Sequence, residues 1–305
     1  MSSVLERIPD KGRIAVIRVR SMGDCILTTP ALAILKQARP DLSIAIAVED
    51  RFRALFEGNS DVAEILPPEW RPVRQWRPDL CINLHGGGSS ATVTALSGAR
   101  IRAGFAHFRP LAIYNVRIPR AQEILGVDRK VHTAEHLASA MFYLGVPLVE
   151  VPRAKLFCSK PAASPVAPYA VIHPVAALPD KTWPAARFLE VADYLKRSFD
   201  LNPVFIGGPG EDLSAFGRWQ TVLGAPLAEI KSLMAGASLF LGNDSGPAHM
   251  AAAFRIPVVV IFGPSDPVVW APWRTQSEVL AGPGEIRSVD ARQVIEALDR
   301  LRVRA

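Results

Sequence analysis

The stretch Leu239-Phe-Leu-Gly-Asn-Asp-Ser-Gly-Pro-Ala-His-Met-Ala-Ala-Ala-Phe254 joins an apolar run to a small-residue run through a polar turn. The residues up to Gly242 predict the end of a buried strand, and those from Pro247 onward predict a helix. Proline suits the opening turn of a helix, where its missing N–H costs nothing. A strand that passes directly into a helix aims free backbone N–H groups and the positive end of the helix dipole at one point. The stretch therefore predicts an anion site, best suited to phosphate.

The polar side chains of this turn have two interpretations. Asp244 or Ser245 could simply cap the helix that follows. Capping accounts for one polar residue, but not for Asn243, Asp244, Ser245 and His249 together. We therefore favour a ligand site, in which Ser245 and Gly246 face the phosphate and His249 reaches the group attached to it.

Length and composition indicate a globular protein with two domains. At 305 residues the chain exceeds the size at which one core usually keeps growing. Lys and Arg number 35 against 29 Asp and Glu, and the pI near 9.5 suggests anionic partners. The surplus is too small and too dispersed to indicate nucleic acid, so we expect none as a partner.

The cysteines and the hydropathy pattern bear on location. The three cysteines, Cys25, Cys81 and Cys158, lie far apart and match no zinc or disulfide framework, which suits a reducing compartment. We find neither a signal-peptide pattern at the start nor an apolar run long enough to span a membrane. We expect a soluble cytoplasmic protein, with peripheral contact to the inner membrane as an option.

Strands alternate with helices along the chain, which predicts an α/β fold with parallel sheets covered on both faces. The Pro-, Ala- and Ser-rich segment 148–168 predicts a linker, which gives domains 1–158 and 159–305. The last helix is a candidate to pack back on the first domain. Two Rossmann-like domains facing across a cleft follow, with ligands at the carboxyl ends of the strands. Strands are predicted at 14–19, 42–48, 80–84, 169–173, 203–206, 239–242 and 258–262, and a loop at 70–77.

The first turn after a predicted strand, Arg18-Val-Arg-Ser-Met-Gly-Asp24, offers a carboxylate rather than a dinucleotide fingerprint. A fingerprint would need G-x-G-x-x-G, and Gly23 is the single glycine of this turn, so an NAD site is weakly supported. Asp24 could act as a general base, or it could only cap the following helix. Spacing alone leaves these two interpretations about even.

Other polar residues also follow predicted strands. Lys181 precedes a helix beginning near Pro184 and is placed to neutralise phosphate. Glu211 or Asp212 could accept hydrogen bonds from ribose hydroxyls, although a plain turn is the alternative. His85 opens a glycine-rich segment that either lines the first domain's side of the cleft or is a turn without a ligand.

The first domain also holds a group of arginines, and the sequence lacks several common catalytic motifs. Arg102 belongs to a basic group at 100–120 that is either a solvated face or a site for a phosphorylated acceptor. The sequence holds no H-E-x-x-H, C-x-x-C, G-x-S-x-G or P-loop pattern. Nothing therefore demands a catalytic metal, and hydrolase and P-loop functions are disfavoured.

Taken together, the motifs resemble glycosyltransferase family 9, the ADP-heptose:lipopolysaccharide heptosyltransferase family. The resemblance covers nearly the whole chain in order, and its most specific part is the Asn-Asp-Ser-Gly-Pro-x-His element followed by Phe-Gly-Pro-Ser-Asp-Pro. The motifs that carry it are Arg18-x-Arg-Ser-x-Gly-Asp24-x-x-x-Thr-Thr-Pro30, Lys181-x-Trp-Pro184, Gly242-Asn-Asp-Ser-Gly-Pro-x-His249 and Phe262-Gly-Pro-Ser-Asp-Pro267.

The resemblance implies a GT-B fold whose second domain holds a nucleotide sugar and whose first domain holds the acceptor. It also implies an inverting reaction without an active-site metal or other cofactor. Asp24 would be the base, and Glu211 the acid that binds ribose. The diphosphate and donor would contact Lys181, Asp244, Ser245, Gly246 and His249, and the acceptor-side candidates are Arg20, Ser21, His85 and Arg102.

The resemblance also defines the expected partners and the open alternatives. We expect a nucleotide sugar, with ADP-heptose as the leading donor, and an anionic glycolipid or glycan acceptor. Ala176 and Ala177 stand where the family often carries small hydroxyl residues that help to bind phosphate. The resemblance therefore indicates the family more firmly than it indicates the donor. The alternatives are a transferase or epimerase that uses another nucleotide sugar, and a nucleotide-binding scaffold without turnover.

Overall fold

A computed structural model of the chain describes residues 3–158, 168–176, 178–282 and 285–301, and it divides into two compact units, Met1–Phe157 and Cys158–Ala305. The division follows residue 157, whereas the sequence predicts a boundary after residue 158. Ala177, one of the two substituted positions, lies outside the described residues.

Unit 1 holds a six-stranded parallel sheet in its described part, with strand order β3-β2-β1-β4-β5-β6. Its strands are β1 Arg13–Ile17, β2 Ser43–Ala47, β3 Glu64–Leu66, β4 Leu80–Asn83, β5 Ile101–Phe105 and β6 Val116–Ile118. Its helices are α1 Met22–Ala38, α2 Trp70–Gln75, α3 Gly88–Leu96, α4 Ala121–Leu125 and α5 Thr133–Leu144, with short 3-10 helices at Leu5–Arg7, Asp50–Leu55 and Leu111–Ile113.

Unit 2 repeats this architecture, with the described strands in the order β12-β11-β10-β7-β8-β9, again parallel. Its strands are β7 Tyr169–His173, β8 Asn202–Gly207, β9 Gln220–Leu223, β10 Leu239–Asn243, β11 Val258–Phe262 and β12 Ser277–Ala281. Its helices are α6 Ala185–Phe199, α7 Leu227–Ala235, α8 Gly246–Ala253, α9 Pro267–Trp270 and α10 Ala291–Leu301, with 3-10 helices at Pro179–Lys181, Ser214–Phe216 and Ile286–Ser288.

The central strands form because their residues are apolar on both faces. In β11 every residue of Val-Val-Val-Ile-Phe is buried, as expected for a strand of a parallel sheet covered by helices. β-branched residues suit this pleated, enclosed environment. Both sheets reverse their strand order at a central pair, β1/β4 in unit 1 and β7/β10 in unit 2. Ligands of open α/β sheets bind at the carboxyl ends of the strands at such a reversal.

The final helix packs in its own unit. Val294, Ala297, Leu298 and Leu301 of α10 are buried in the core shared by the sheet and helix α6 of unit 2. The described apolar face of α10 is thereby covered within unit 2.

The segment 70–77, predicted as a loop, contains helix α2 instead. Val73 of this helix is fully buried. The guanidinium of Arg13 lies 5.1 Å from the centroid of the Trp76 ring, directly after the helix. Arg13 also donates a hydrogen bond of 3.0 Å to the carbonyl of Trp76. The tryptophan is therefore part of the packing of unit 1, which the sequence pattern alone did not indicate.

Candidate functional site

In unit 1, the functional candidates gather where β1 and β4 end. Asp24 lies in the first turn of α1. The buried guanidinium of Arg18 contacts Oδ1 of Asp24 and the carbonyl of Leu84, and the hydroxyl of Ser21 donates to Oδ2 of Asp24 at 3.0 Å. The carboxylate is thus held in one orientation while about a quarter of the side chain stays exposed.

Helix capping does not account for Asp24. The N-cap of α1 is Ser21, and in the described structure no side chain there bonds to the free N–H groups of the first turn. The carboxylate of Asp24 bonds instead to the side chains of Arg18 and Ser21. Of the two interpretations that spacing left open, the oriented carboxylate fits a chemical role better than a cap.

His85 follows β4 and lies in the same group. Burial, and next the charge of Arg18, lower the pKa of His85 below its ordinary value, so the imidazole is neutral at pH 7. Asn83 shapes this turn, because its Oδ1 accepts from the backbone N–H groups of His85 and Gly86, both at 3.0 Å. The structure therefore brings Asp24, Ser21 and His85 together, and Arg20 is exposed on the same turn.

Arg102 lies elsewhere. It is the second residue of β5, toward the amino end of the sheet, and pairs with Cys81 of β4. Its guanidinium donates to the carbonyls of Ile113 at 2.9 Å and Ala99 at 3.1 Å. Arg102 thus stabilises the local backbone, and the described structure does not bring it together with Asp24, Ser21 and His85.

A histidine that the sequence analysis left out lies near Asp24. The ring of His136 on α5 stacks on Phe105, with 4.1 Å between ring centroids. Burial, and next the charges of His107 and Arg18, lower the pKa of His136 to about 4, against the opposing effect of Asp24. Its position after a long loop left no sequence signal that could have placed it beside the β1–α1 turn.

In unit 2, the phosphate-site residues surround the carboxyl ends of β7, β10 and β11. Lys181 lies at the end of a 3-10 helix after β7, and its Nζ is 2.5 Å from Oγ of Ser265 and 3.6 Å from Oδ2 of Asp244. Gly263 permits this arrangement, since a Cβ there would come within 2.5 Å of the carbonyl oxygen of Asp180. Lys181 thus presents a cation beside the turn that precedes α8.

The side chain of Ser245 does not cap helix α8. Ser245 is the N-cap residue of α8, yet within the described chain its hydroxyl makes no capping bond to the helix. That hydroxyl lies 3.1 Å from Nδ1 of His173 and 3.1 Å from the carbonyl of Asn243. The hydroxyl of Ser245 therefore leaves the N–H of Gly246 available to an anion, whereas Pro247 has no N–H and the N–H of Ala248 donates to the carbonyl of Ser245 at 3.1 Å.

Asn243 organises the turn from the core. It is fully buried, and its Oδ1 accepts from the backbone N–H of Trp183 at 3.0 Å, which ties the β10 end to the segment following Lys181. Its Nδ2 has no hydrogen-bond partner among the residues described. His249 is 4% exposed, and its ring meets that of Trp270 edge-on with 6.5 Å between centroids.

Glu211 and Asp212 follow β8 and differ in their contacts. Oε2 of Glu211 accepts from the N–H of Gly208 at 2.6 Å and lies 3.9 Å from Nε2 of His173. Asp212 instead accepts from the N–H of Ser214 at 2.8 Å. Glu211 is therefore the acid that faces the other site residues of unit 2, and Asp212 caps a local turn.

The described residues contain no cluster of three or more His, Cys, Asp or Glu side chains that could hold a metal ion. None of the helices within the described ranges is both long and apolar enough to cross a bilayer.

These features define a two-unit α/β protein with a phosphate-type turn in one unit and an oriented carboxylate in the other. Comparison with known proteins specifies the class. Residues 69–294 match the model of glycosyltransferase family 9 (heptosyltransferase). The chain belongs to glycosyltransferase family 9 and is thus a glycosyltransferase of the heptosyltransferase family.

Curated and solved relatives agree with this assignment. Lipopolysaccharide heptosyltransferase 1 of Salmonella typhimurium is 26% identical over 290 residues, covering 84% of this chain and 89% of the relative. The structure of E. coli ADP-heptose lps heptosyltransferase II superposes with a TM-score of 0.79 at 22% identity, over 95% of this chain and 98% of that one. E. coli heptosyltransferase WaaC with ADP gives a TM-score of 0.77 at 22% identity, over 95% and 99%. The fold is accordingly the GT-B fold that the motifs predicted.

Proposed function

We propose that this protein is an inverting glycosyltransferase that moves heptose from ADP-heptose to a lipopolysaccharide-core or related cell-envelope glycan. The observation that carries the proposal is the phosphate turn of unit 2, defined as Lys181, Asp244, Ser245 and Gly246, with a lysine cation and the α8 N-terminus at one place. A nucleoside diphosphate sugar presents the negative charge that such a turn binds. The names of the relatives supply the candidate sugar, since one structure of E. coli heptosyltransferase WaaC holds ADP and a second structure of it holds ADP-2-deoxy-2-fluoro heptose.

In the proposed reaction, Asp24 acts as the general base. An acceptor hydroxyl oxygen attacks the anomeric carbon of the donor while Asp24 takes the hydroxyl proton. The bond between that carbon and the diphosphate breaks, and its electron pair leaves with the nucleoside diphosphate. Attack opposite the leaving group inverts the anomeric configuration. Contacts from Arg18 and Ser21 hold the carboxylate in one orientation, which general-base catalysis requires.

The leaving group gains charge as the bond breaks, and unit 2 supplies the groups that stabilise it. Nζ of Lys181 and the backbone N–H of Gly246, at the positive end of the α8 dipole, are fixed before the reaction, so little reorganisation is needed. In this proposal they take the part that a divalent cation plays in other transferases. Glu211 accepts hydrogen bonds from the ribose, and His249 lies beneath the sugar-bearing end of the donor.

The acceptor side of the proposal rests on unit 1 and on the relatives' names. Arg20, Ser21 and His85 lie with Asp24 at the β1 and β4 ends and are the proposed acceptor contacts. Because the acceptors named for the relatives are lipopolysaccharides, we propose a cytoplasmic enzyme that works peripherally at the inner membrane. The net charge of +6 suits an anionic surface of this kind.

Product analysis tests the proposal. Purified protein is incubated with ADP-heptose and a heptose-free lipopolysaccharide core in buffer containing a chelator, and ADP release and the product's anomeric configuration are measured. We expect acceptor-dependent ADP release and inversion at the anomeric carbon. Retained configuration, or release that needs added divalent cation, would contradict the mechanism. Parallel incubations with UDP- and GDP-sugars, with and without acceptor, test for a different donor or an epimerase.

A further inference from the structure

His173 connects the two halves of the proposed donor site. It is the last residue of β7 and is 8% exposed. Its Nδ1 lies 3.1 Å from Oγ of Ser245 in the phosphate turn, and its Nε2 lies 3.9 Å from Oε2 of Glu211 after β8.

The charge state of His173 limits what its ring can do. Burial lowers its pKa to about 4, so the imidazole is neutral at pH 7 and carries a single N–H. A neutral imidazole forms no ion pair with Glu211, and 3.9 Å is too long for a direct hydrogen bond. The contact with Glu211 is therefore not what holds the ring.

The hydrogen bonds of Ser245 indicate which nitrogen carries the proton. Its hydroxyl lies 3.1 Å from the carbonyl of Asn243, which can only accept. When the hydroxyl donates to that carbonyl, Nδ1 of His173 must donate to the hydroxyl oxygen. Nε2 is then an acceptor 3.9 Å from Oε2 of Glu211. That oxygen already accepts from the N–H of Gly208, and the carboxylate keeps further lone pairs that can accept from a ligand.

Resting on the proposed function, we propose that His173 is a binding residue for the donor's ribose. Nε2 of His173 and the carboxylate of Glu211 each accept from one hydroxyl of the ribose cis-diol, while Nδ1 holds the Ser245 turn for the diphosphate. The ligand class is a ribonucleoside diphosphate, and a deoxyribose lacking either hydroxyl leaves one acceptor without a donor.

The wild-type protein provides the first test. Affinities for ADP, 2′-deoxy-ADP and 3′-deoxy-ADP are measured at pH 7.5 by titration calorimetry. Loss of a hydrogen bond to a buried acceptor costs about 1.5 kcal/mol, so we expect each deoxy analogue to bind about tenfold more weakly than ADP. Equal affinity for all three would overturn the inference while leaving the proposed function intact. Failure to bind ADP at all would instead count against the proposed function.

Two substitutions separate the roles of the ring nitrogens. The amide of Asn overlays Nδ1 of histidine and that of Gln overlays Nε2. We expect His173→Asn to bind inorganic pyrophosphate as the wild type does, but to lose discrimination against one of the deoxy analogues. We expect His173→Gln to keep that discrimination and to bind pyrophosphate more weakly.

The control for these two substitutions is His132→Asn. His132→Asn alters another buried histidine, the N-cap of α5 in unit 1, where Asn is an equally good cap. It should change neither the discrimination nor pyrophosphate binding. His173→Asn that discriminates as strongly as the wild type would overturn the assignment of Nε2. If both variants fail to fold, Glu211→Ala decides: it should keep the discrimination against the deoxy analogue whose missing hydroxyl pairs with Nε2 of His173, and loss of both discriminations would overturn the assignment.

Discussion

At the residue scale, the proposed general-base chemistry depends on the side chains that orient the carboxylate of Asp24. Arg18 and Ser21 contact its two oxygens, and His85 borders it as a neutral ring. Asp24→Asn keeps the shape but cannot take a proton. We expect normal folding and a fall in turnover of roughly 10²-fold or more, the usual scale for loss of a general base. Steady-state kinetics and thermal melts measure both quantities.

A matched control for this substitution is Asp10→Asn. Asp10 is fully exposed and lies 3.9 Å from Arg39, remote in its contacts from the β1–α1 turn. Its turnover should equal that of the wild type. Asp24→Asn with turnover near that of the control would remove Asp24 from the role of base.

Lys181 is the second residue on which the proposal depends. Lys181→Met keeps the stem and removes the charge that faces Ser265 and Asp244. A charge-assisted hydrogen bond contributes about 1.5–3 kcal/mol, so we expect ADP to bind on the order of tenfold to a hundredfold more weakly. Calorimetric titration measures this. Lys196→Met, which removes an α6 cation paired with Asp200, should bind ADP normally; equal affinities in the two variants would exclude Lys181 from the site.

At the element scale, helix α5 supports the helix that carries Asp24. α5 packs against α1 and begins with a capping box, in which His132 accepts from the N–H of Ala134 and Glu135 accepts from the N–H of His132. Glu135 also pairs with Arg129 at 2.6 Å. This pairing, together with the backbone bond, holds the pKa of Glu135 below its ordinary value of 4.5.

The sign of the pH dependence follows from that depressed pKa. The ionised carboxylate stabilises the fold above pH 4.5, and this contribution is lost as the pH falls through the lower folded-state pKa. We expect Glu135→Gln to reduce the free energy of unfolding by about 1 kcal/mol at pH 7, with the difference shrinking below pH 4.5. Urea titrations across this range measure it, and Glu57→Gln at an exposed pair serves as the control. A difference that is constant with pH would contradict this account.

The central elements were predictable from the sequence, whereas the edges were not. β7 and β11 have the predicted bounds because their apolar runs end where burial ends. The outermost strands β3, β6, β9 and β12 were missed, since one face meets solvent and short polar-rich segments carry no apolar run. β5 was missed because Arg102 and Gly104 interrupt it. Helix α2 was missed because Pro72 and the adjacent tryptophan and arginines resembled a loop.

The candidate site was predictable only in part, because only the residues that follow a predicted strand could be placed. Residues directly after apolar strands, such as Asp24 and Ser245, could be placed because strand ends share one edge of a sheet. The position of Arg102 could not be predicted, because it depends on the start of β5, which the sequence did not show. His136 could not be found, since stacking on Phe105 depends on tertiary packing.

At the scale of the whole molecule, each unit has its own sheet and buried core, and the donor residues belong to unit 2. A nucleotide that binds only the native state raises the melting temperature, by the equivalent of about 2.7 kcal/mol at a hundred times its dissociation constant. We expect ADP to raise it more than UDP, GDP or NAD at equal concentration. A larger shift with UDP or GDP would redirect the donor assignment, and Lys181→Met should show a smaller shift with ADP.

Trp183 gives the site an internal optical reporter. It is the largest fully buried side chain, its backbone N–H bonds to Asn243, and its indole N–H donates to the carbonyl of Val289 at 2.7 Å. An indole enclosed in this way emits at short wavelength and is shielded from aqueous quenchers such as iodide. Because it is two residues from Lys181, its emission, read in a variant whose five other tryptophans are replaced by phenylalanine, would follow loosening of the surrounding segment in real time, without any attached dye.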